Sequence, residues 1–323
     1  MSGISIESPS PTGGQALDMT AAVPHKGLDL IASVAGADGR VMAVPDRGTP
    51  DLAEALADVE FLVLDHDRDD VLALLGELPR LRVVQTVIAG TDKVRPSIPA
   101  GVTLCNASGV RDIPVAEWAL SALLGAYSGL LRSVRAQSTE RWQLLRHGEL
   151  FGKVVLILGL GSIGRALKAR LEALGAEVIG VASATREGVH GPEELDSLLP
   201  RVDALVVLAP LTERTRGAIG AAQLSLLRDG ALVVSCGRGE VVDTAALLAE
   251  LHAVRLEAVI DVVDPEPLPA GHPLWSAPNA YISSHIAGNS AEGEDRAWEF
   301  AGAQLGRYIS GEPLLNVVMR GDR

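Results

Sequence analysis

Short runs of Val, Ile and Leu punctuate the chain and alternate with stretches whose apolar positions recur at helical spacing. In the first third the runs fall at 41–44, 61–64 and 83–88, with helical stretches around 52–57 and 71–78. A further strand is expected at 4–7, closed by the loop Ser-Pro-Ser-Pro-Thr-Gly-Gly. From 115 to 131 the chain is apolar on nearly every face, opened by Pro114 and interrupted by Gly125 and Gly129, which predicts one long buried helix. The alternation then restarts with a strand at 154–158, a helix at 162–174 and a strand at 177–181. Strands at 202–208, 231–234, 258–262 and 281–283 and a last helix at 292–309 follow. Strands that alternate with helices pair in parallel through right-handed crossovers. Their near-continuous apolar content fits sheets covered on both faces.

At 323 residues the chain is too long for one ordinary core and suits two domains. The 28 Lys and Arg stand against 41 Asp and Glu, a formal charge of -13, with no basic cluster. Such a surface repels nucleic acid and anionic membranes. Cys105 and Cys236 cannot build a disulfide framework. Residues 1–10 lack the basic and apolar regions of a secretory signal, and no apolar run reaches the roughly 18 residues of a membrane span. A soluble, cytoplasmic protein is the expectation.

The sharpest local signal is Gly159-Leu160-Gly161-Ser162-Ile163-Gly164, placed between a strand and a helix. Gly159 permits a tight turn, Gly161 lets a diphosphate approach the backbone, and Gly164 lets helix and strand pack closely. The phosphates then meet the free N–H groups and positive dipole end of the helix. A glycine-rich turn can also occur without a ligand. The strand before it, the helix after it and a second strand ending about 20 residues on carry the dinucleotide reading. At that strand's end, where an NAD site places a carboxylate for the ribose hydroxyls, the chain has Ala182, followed by Ser183, Ala184, Thr185 and Arg186. Without the carboxylate a 2′-phosphate is not repelled, and Arg186, Ser183 and Thr185 can donate to it. NADP is therefore expected over NAD.

Arg238, Glu266 and His285 each follow an expected strand of the same unit, and open α/β sheets bind ligands beyond the carboxyl ends of their strands. Reduction of a 2-keto acid needs this set: a guanidinium to grip the carboxylate, an imidazolium to deliver a proton, and an acid to hold its charge. Each residue alone would read as an ordinary surface or structural group. Their joint arrangement points to chemistry.

With these elements the chain resembles the D-isomer-specific 2-hydroxyacid dehydrogenase family, from about Leu81 onward. The matching stretches are Ala89-Gly90-Thr91-Asp92, residues 106–109, Val115-Ala116-Glu117, Glu149-Leu150-Phe151-Gly152-Lys153 and Pro210-Leu211-Thr212-Glu213-Arg214-Thr215. The glycine turn, the Arg-Gly, Glu-Pro and His-Ile-Ala-Gly elements and Asn316-Val317-Val318 complete them. The resemblance implies two doubly wound parallel-sheet α/β domains. A Rossmann dinucleotide-binding domain, 106–289, is inserted into a flavodoxin-like substrate domain, 1–105 and 290–323, with the active site in the cleft. It implies Arg238, Glu266 and His285 as the catalytic trio, with Asp261 at the nicotinamide and Thr215 near the phosphates. Cys236 and Gly288 would neighbour the cofactor, and the backbone of Ala89 and Gly90 would face the substrate carboxylate. Ser235 departs from the family, where Asn is common.

The expected activity is NADPH-linked reduction of a small 2-keto acid of the glyoxylate or hydroxypyruvate type to the D-2-hydroxy acid. A nucleotide-sensing corepressor on the same fold and an NAD-linked phosphoglycerate dehydrogenase are the alternatives. The first is disfavoured by the lack of extra tails. The second is disfavoured by the lack of a regulatory domain after Arg323 and of a basic cluster. His25, His66, His147, His190, His252 and His272 lack metal-ligand spacing. The run Asp65-His66-Asp67-Arg68-Asp69-Asp70 reads as a solvated loop and helix cap, so no metal is expected. Cys236 reads first as a small packed residue. The apolar helix at 115–131 and the segment bearing Trp142 suggest a homodimer, since relatives use that region as a two-fold interface.

Overall fold

A computed structural model of the chain describes residues 19–35, 39–65, 68–144 and 146–321. The strand expected at 4–7, its following loop, and His66 and Asp67 lie outside these residues. The chain divides into two compact units, Met1–Ala107 with Trp298–Arg323, and Ser108–Ala297. The second division falls inside the helix Ala291–Ile309, not at 289 ahead of it.

The strands of the described residues are β1 (Met19–Val23), β2 (Gly39–Ala43), β3 (Val59–Leu64), β4 (Val83–Thr86), β5 (Thr103–Cys105), β6 (Val154–Leu158), β7 (Glu177–Val181), β8 (Ala204–Val207), β9 (Leu232–Ser235), β10 (Glu257–Ile260), β11 (Ala280–Ile282) and β12 (Val317–Met319). They form two sheets, ordered β12-β5-β4-β3-β1-β2 and β11-β10-β9-β8-β6-β7. All neighbours are parallel except β12, which runs antiparallel on β5. Each sheet is doubly wound, its first strand lying between the second and the third.

In the first unit all of β1 is buried, although its sequence, Met-Thr-Ala-Ala-Val, carries too little apolar bulk to read as a central strand. A buried glutamine pair closes this unit. Gln304 Nε2 donates to Gln85 Oε1 at 3.0 Å and to the Leu315 carbonyl at 2.8 Å, joining the last helix to β4 and the segment before β12.

In the second unit alternate strand positions feed two cores. Leu156, Leu158, Leu205, Val207, Val233 and Ile260 face one, and Val155, Ile157, Val206, Val234 and Val259 face the other. This is why the runs read as unbroken: both faces of the sheet are covered. The helix expected at 115–131 is two helices, Asp112–Tyr127 and Leu130–Gln137. Gly129, at φ +73°, turns the chain between them through a conformation that favours glycine. The longer helix buries Val115, Ala116, Ala119 and Leu123 against the same core as Leu167 and Leu171 of the helix Ser162–Ala173.

Candidate active site

The order of the second sheet puts its switch point between β6 and β8, and the turns after these strands touch through backbone. A Cβ on Gly159 would lie 2.6 Å from the Ala209 nitrogen, so only glycine fits. Gly237, after β9, approaches the Ala209 carbonyl in the same way, at 2.9 Å, and a Cβ on Gly239 would meet the Val263 carbonyl, after β10, at 2.0 Å. Four successive strand-end turns are thus held in a row without side chains between them.

Gly161 differs from Gly159: nothing lies within 4 Å of the Cβ it could carry. It is the N-cap of the helix Ser162–Ala173, which no side chain caps. Helix N–H groups and an open backbone approach together make a cradle for a diphosphate. Gly164 packs against the Gly159 carbonyl, where a Cβ would come within 2.6 Å. Ser162 Oγ donates to Asp112 Oδ1 at 3.0 Å. Burial pushes the Asp112 carboxyl up, opposed by that hydrogen bond and by the Arg165 charge. Asp112 was not singled out in the sequence, because nothing local joins it to a turn fifty residues on.

After β7, Ala182 leads into a small hairpin. Arg186 and Val189 exchange backbone hydrogen bonds at 3.1 and 2.8 Å across Glu187-Gly188. This turn carries the Arg186 guanidinium back to the glycine turn, where Nη2 donates to the Leu160 carbonyl at 3.0 Å. Ser183 is exposed, and Thr185 Oγ1 donates to Glu193 Oε1 at 3.2 Å. Thr215 spends its hydroxyl on its own turn, donating to the Pro210 carbonyl at 2.6 Å and accepting from the Thr212 N–H at 2.8 Å.

Arg238 is half-buried in the turn after β9, with Nη1 donating to the Gly237 carbonyl at 2.8 Å. Glu266 and His285 come together across two turns, with His285 Nδ1 2.6 Å from Glu266 Oε1. Both side chains reach solvent. His285 itself has φ +54°, a left-handed backbone that a non-glycine residue adopts at a cost of order 1 kcal/mol or more.

The device that holds it there is Asp261. Although 2% exposed, its carboxylate accepts the N–H of Ile286 at 2.8 Å, the N–H of Ala287 at 2.9 Å and the Ser283 hydroxyl. All three donors belong to the loop bearing His285. The resemblance put Asp261 at the nicotinamide; in the structure both its oxygens serve this loop. Gly288 follows, its carbonyl accepting from Arg111 Nη1 at 3.2 Å. Cys236 is a packed thiol at 8% exposure, pushed up by burial and by the nearby Asp261 charge.

Ala89 and Gly90 lie in the other unit, in the turn after β4, and the Ala89 carbonyl accepts from Asn106 Nδ2 at 2.7 Å. The described residues contain no group of three or more His, Cys, Asp or Glu able to hold a metal. No helix among them is long and apolar enough to cross a membrane. The expected cap at 65–70 takes another form: Arg68 holds Asp70 with two bonds of 2.8 Å, and no side chain caps the helix Asp69–Leu74.

A doubly wound sheet with an open glycine turn at its switch point defines the dinucleotide-binding class. The family model described as D-isomer specific 2-hydroxyacid dehydrogenase, NAD binding domain, matches residues 120–287. The glyoxylate reductase of Aeropyrum pernix is 31% identical over 264 residues, 76% of this chain and 79% of that protein. The D-3-phosphoglycerate dehydrogenase of Methanocaldococcus jannaschii is 28% identical over 291 residues, 87% of this chain but 55% of that protein, so the chain spans about half of that relative's length. Among solved structures, the NADPH-dependent glyoxylate/hydroxypyruvate reductase of Sinorhizobium meliloti, in complex with NADP and sulfate, matches with a TM-score of 0.79 and 27% identity, over 93% of this chain and 98% of that one. The chain belongs to the D-isomer specific 2-hydroxyacid dehydrogenase family of NAD(P)-dependent oxidoreductases, as its motifs implied.

Proposed function

We propose that the protein reduces a small 2-keto acid, of the glyoxylate or hydroxypyruvate type, to the D-2-hydroxy acid with NADPH. The observation that carries the reading is the Glu266–His285 pair at 2.6 Å, with Glu266 following β10, whose turn stands in one row with those of Arg238 and the glycine cradle, and His285 on the next loop, which Asp261 holds. With Nδ1–H donating to Glu266, the imidazole has Nε2 left to hold and release a proton. Glu266 fixes the ring through that contact. The Arg238 guanidinium grips the keto acid's carboxylate, and His285 Nε2 protonates the carbonyl oxygen as it is reduced. When bound, the reduced nicotinamide supplies the hydride. Gly159, Gly161, Ser162, Ile163 and Gly164 hold the diphosphate, with Thr215, Cys236, Asp261 and Gly288 framing the site. Ala89 and Gly90 are offered to the substrate carboxylate in the same proposal.

NADPH is preferred in this reading because Arg186 lies hydrogen-bonded to the glycine turn and no carboxylate stands at position 182. One bond to Leu160 leaves the guanidinium most of its five N–H groups for a 2′-phosphate. A panel of 2-keto acids assayed with NADPH and NADH tests the function. Oxidation of NADPH by glyoxylate or hydroxypyruvate is expected, and failure of every 2-keto acid with both cofactors overturns it. The relationship to phosphoglycerate dehydrogenase supports a second reading, NAD-linked oxidation of phosphoglycerate. The same assay in the oxidative direction decides between them.

A cytoplasmic homodimer belongs to the proposal. Both cysteines are free, Trp142 and Leu144 are almost fully exposed, and Leu130 and Val134 are exposed as well. Light scattering at micromolar concentration should give twice the chain's mass; a monomer overturns the assembly.

A further inference from the structure

The turn that follows β4, from Val87 to Gly90, is fastened through its carbonyls. The Ile88 carbonyl accepts the Thr86 hydroxyl at 2.8 Å and the N–H of Ala107 at 3.0 Å. The Ala89 carbonyl accepts Asn106 Nδ2 at 2.7 Å, its one donor among the described residues. Asn106 is itself fixed, for it directly follows β5 and its N–H donates to the Asn316 carbonyl, just ahead of β12, at 3.1 Å. At the start of the turn the buried Gln85 donates from Nε2 to the Thr86 carbonyl at 2.8 Å.

The direction of these carbonyls decides where the amides point. Both peptides are trans, so each N–H lies opposite the carbonyl of its own peptide unit. With the Ile88 and Ala89 carbonyls turned toward their donors, the N–H groups of Ala89 and Gly90 are turned away from them. Neither is donated to a backbone carbonyl among the described residues, and Ala89 is exposed. Adjacent backbone amides left open in this way can receive an anion such as a carboxylate. The two are not held equally. Two donors fix the Ile88–Ala89 peptide, whereas Asn106 alone fixes the next, and Gly90 has the backbone that resists rotation least.

We propose that Asn106 is a positioning residue for substrate recognition: by holding the Ala89 carbonyl it presents the Gly90 N–H to the keto acid's carboxylate. The inference rests on the proposed keto-acid reduction and adds to it a residue that acts only through the peptide it holds. One hydrogen bond to a charged group corresponds to roughly ten- to a hundred-fold in affinity. A carboxylate contact is made equally before and during reduction, so its loss raises KM and spares kcat. A general loss of structure does the reverse, since fewer folded molecules lower the apparent kcat and leave KM where it was.

The test is steady-state reduction of the best 2-keto acid by Asn106→Ala and Asn106→Asp, with oxamate as a competitive inhibitor that carries the same carboxylate. The aspartate variant keeps the shape of the side chain but at neutral pH has no proton to donate. In both variants KM and the oxamate inhibition constant should rise about ten-fold or more, while kcat falls by less than about three-fold. Affinity for NADP should be retained. KM is read on whatever fraction folds, so partial unfolding does not hide the outcome. Turnover by the wild type, with KM or the oxamate constant unchanged in both variants, overturns the inference and leaves the proposed function standing. A wild type that reduces no 2-keto acid overturns the proposed function, and the inference falls with it.

Discussion

The backbone N–H of His285 donates to the carbonyl of Asp261 at 2.8 Å, and the Asp261 carboxylate accepts from the two residues that follow His285. One buried residue therefore grips the loop bearing His285 from both its backbone and its side chain. Asp261→Asn turns an NH₂ group toward an N–H that can only donate. A buried donor left unsatisfied costs about 1–3 kcal/mol. The melting temperature should fall by several degrees, and turnover should fall with it. An unchanged melting curve would mean that the loop is held by other means.

His285→Ala should lower kcat for keto-acid reduction by about 10²–10⁴, the usual weight of a positioned acid. Affinity for the dinucleotide should survive, since the glycine cradle supplies it. Glu266→Gln keeps the shape but replaces the carboxylate that meets the ring at 2.6 Å, so kcat should fall while dinucleotide affinity holds. Steady-state kinetics and nucleotide titration read the two separately. An unchanged kcat would remove Glu266 from the role.

Gly159 and Gly161 separate folding from binding. A Cβ at 159 collides with the backbone of the β8 turn, whereas at 161 it enters open space. Gly159→Ala should destabilise the protein by about 1–3 kcal/mol, as overpacking does. Gly161→Ala should leave the melting temperature unchanged but weaken dinucleotide binding at least ten-fold, as measured by nucleotide fluorescence. Equal effects of both on stability would mean that the space before Gly161 is not the cradle.

Much of this frame was legible in the chain. β6 and β7 fall at the expected 154–158 and 177–181, because continuous Val, Ile and Leu between turn residues leaves little room for another reading. β1 was missed because alanine and threonine carry its buried positions. The helix at 115–131 overran because alanine and leucine carry no stop signal, and only the positive φ of Gly129 ends the run. Within the site, the residue types at 238, 266 and 285 could be read, but not the work of Asp261. Its partners are backbone N–H groups about 25 residues away, which no local pattern announces. The reach of Arg186 to Leu160 likewise depends on how one hairpin folds back.

Arg186→Ala should erase most of an NADPH preference of at least about ten-fold in kcat/KM. One charge-assisted bond is worth on the order of 1.5–3 kcal/mol. Added salt should narrow the same margin. Ala182→Asp should reverse it by repelling the 2′-phosphate. A wild type that prefers NADH on its best keto acid would overturn the cofactor assignment and leave the family membership standing.

In the other unit the Arg68–Asp70 pair gives a stability test. Its hydrogen bonds hold the Asp70 carboxyl below its ordinary value of 3.8. The stabilisation is therefore complete above that value and fades as pH falls through the lowered one. Asp70→Asn should cost up to about 1 kcal/mol at neutral pH, in the range of exposed pairs. The gap between variant and wild type should close in an acid denaturation series as pH falls below the ordinary 3.8; a constant gap would mean that the pair does not contribute.

Gly159, Gly237 and Gly239 hold the strand-end turns together without a side chain among them. The scaffold and its chemistry are thereby written in separate alphabets. The side chains at 182, 186 and 238 stand outside those backbone contacts, so under the proposed function their exchange should alter cofactor or substrate preference while the chassis stays folded. Libraries that vary those positions while sparing the three glycines should yield mostly folded proteins, and the reverse choice should yield few.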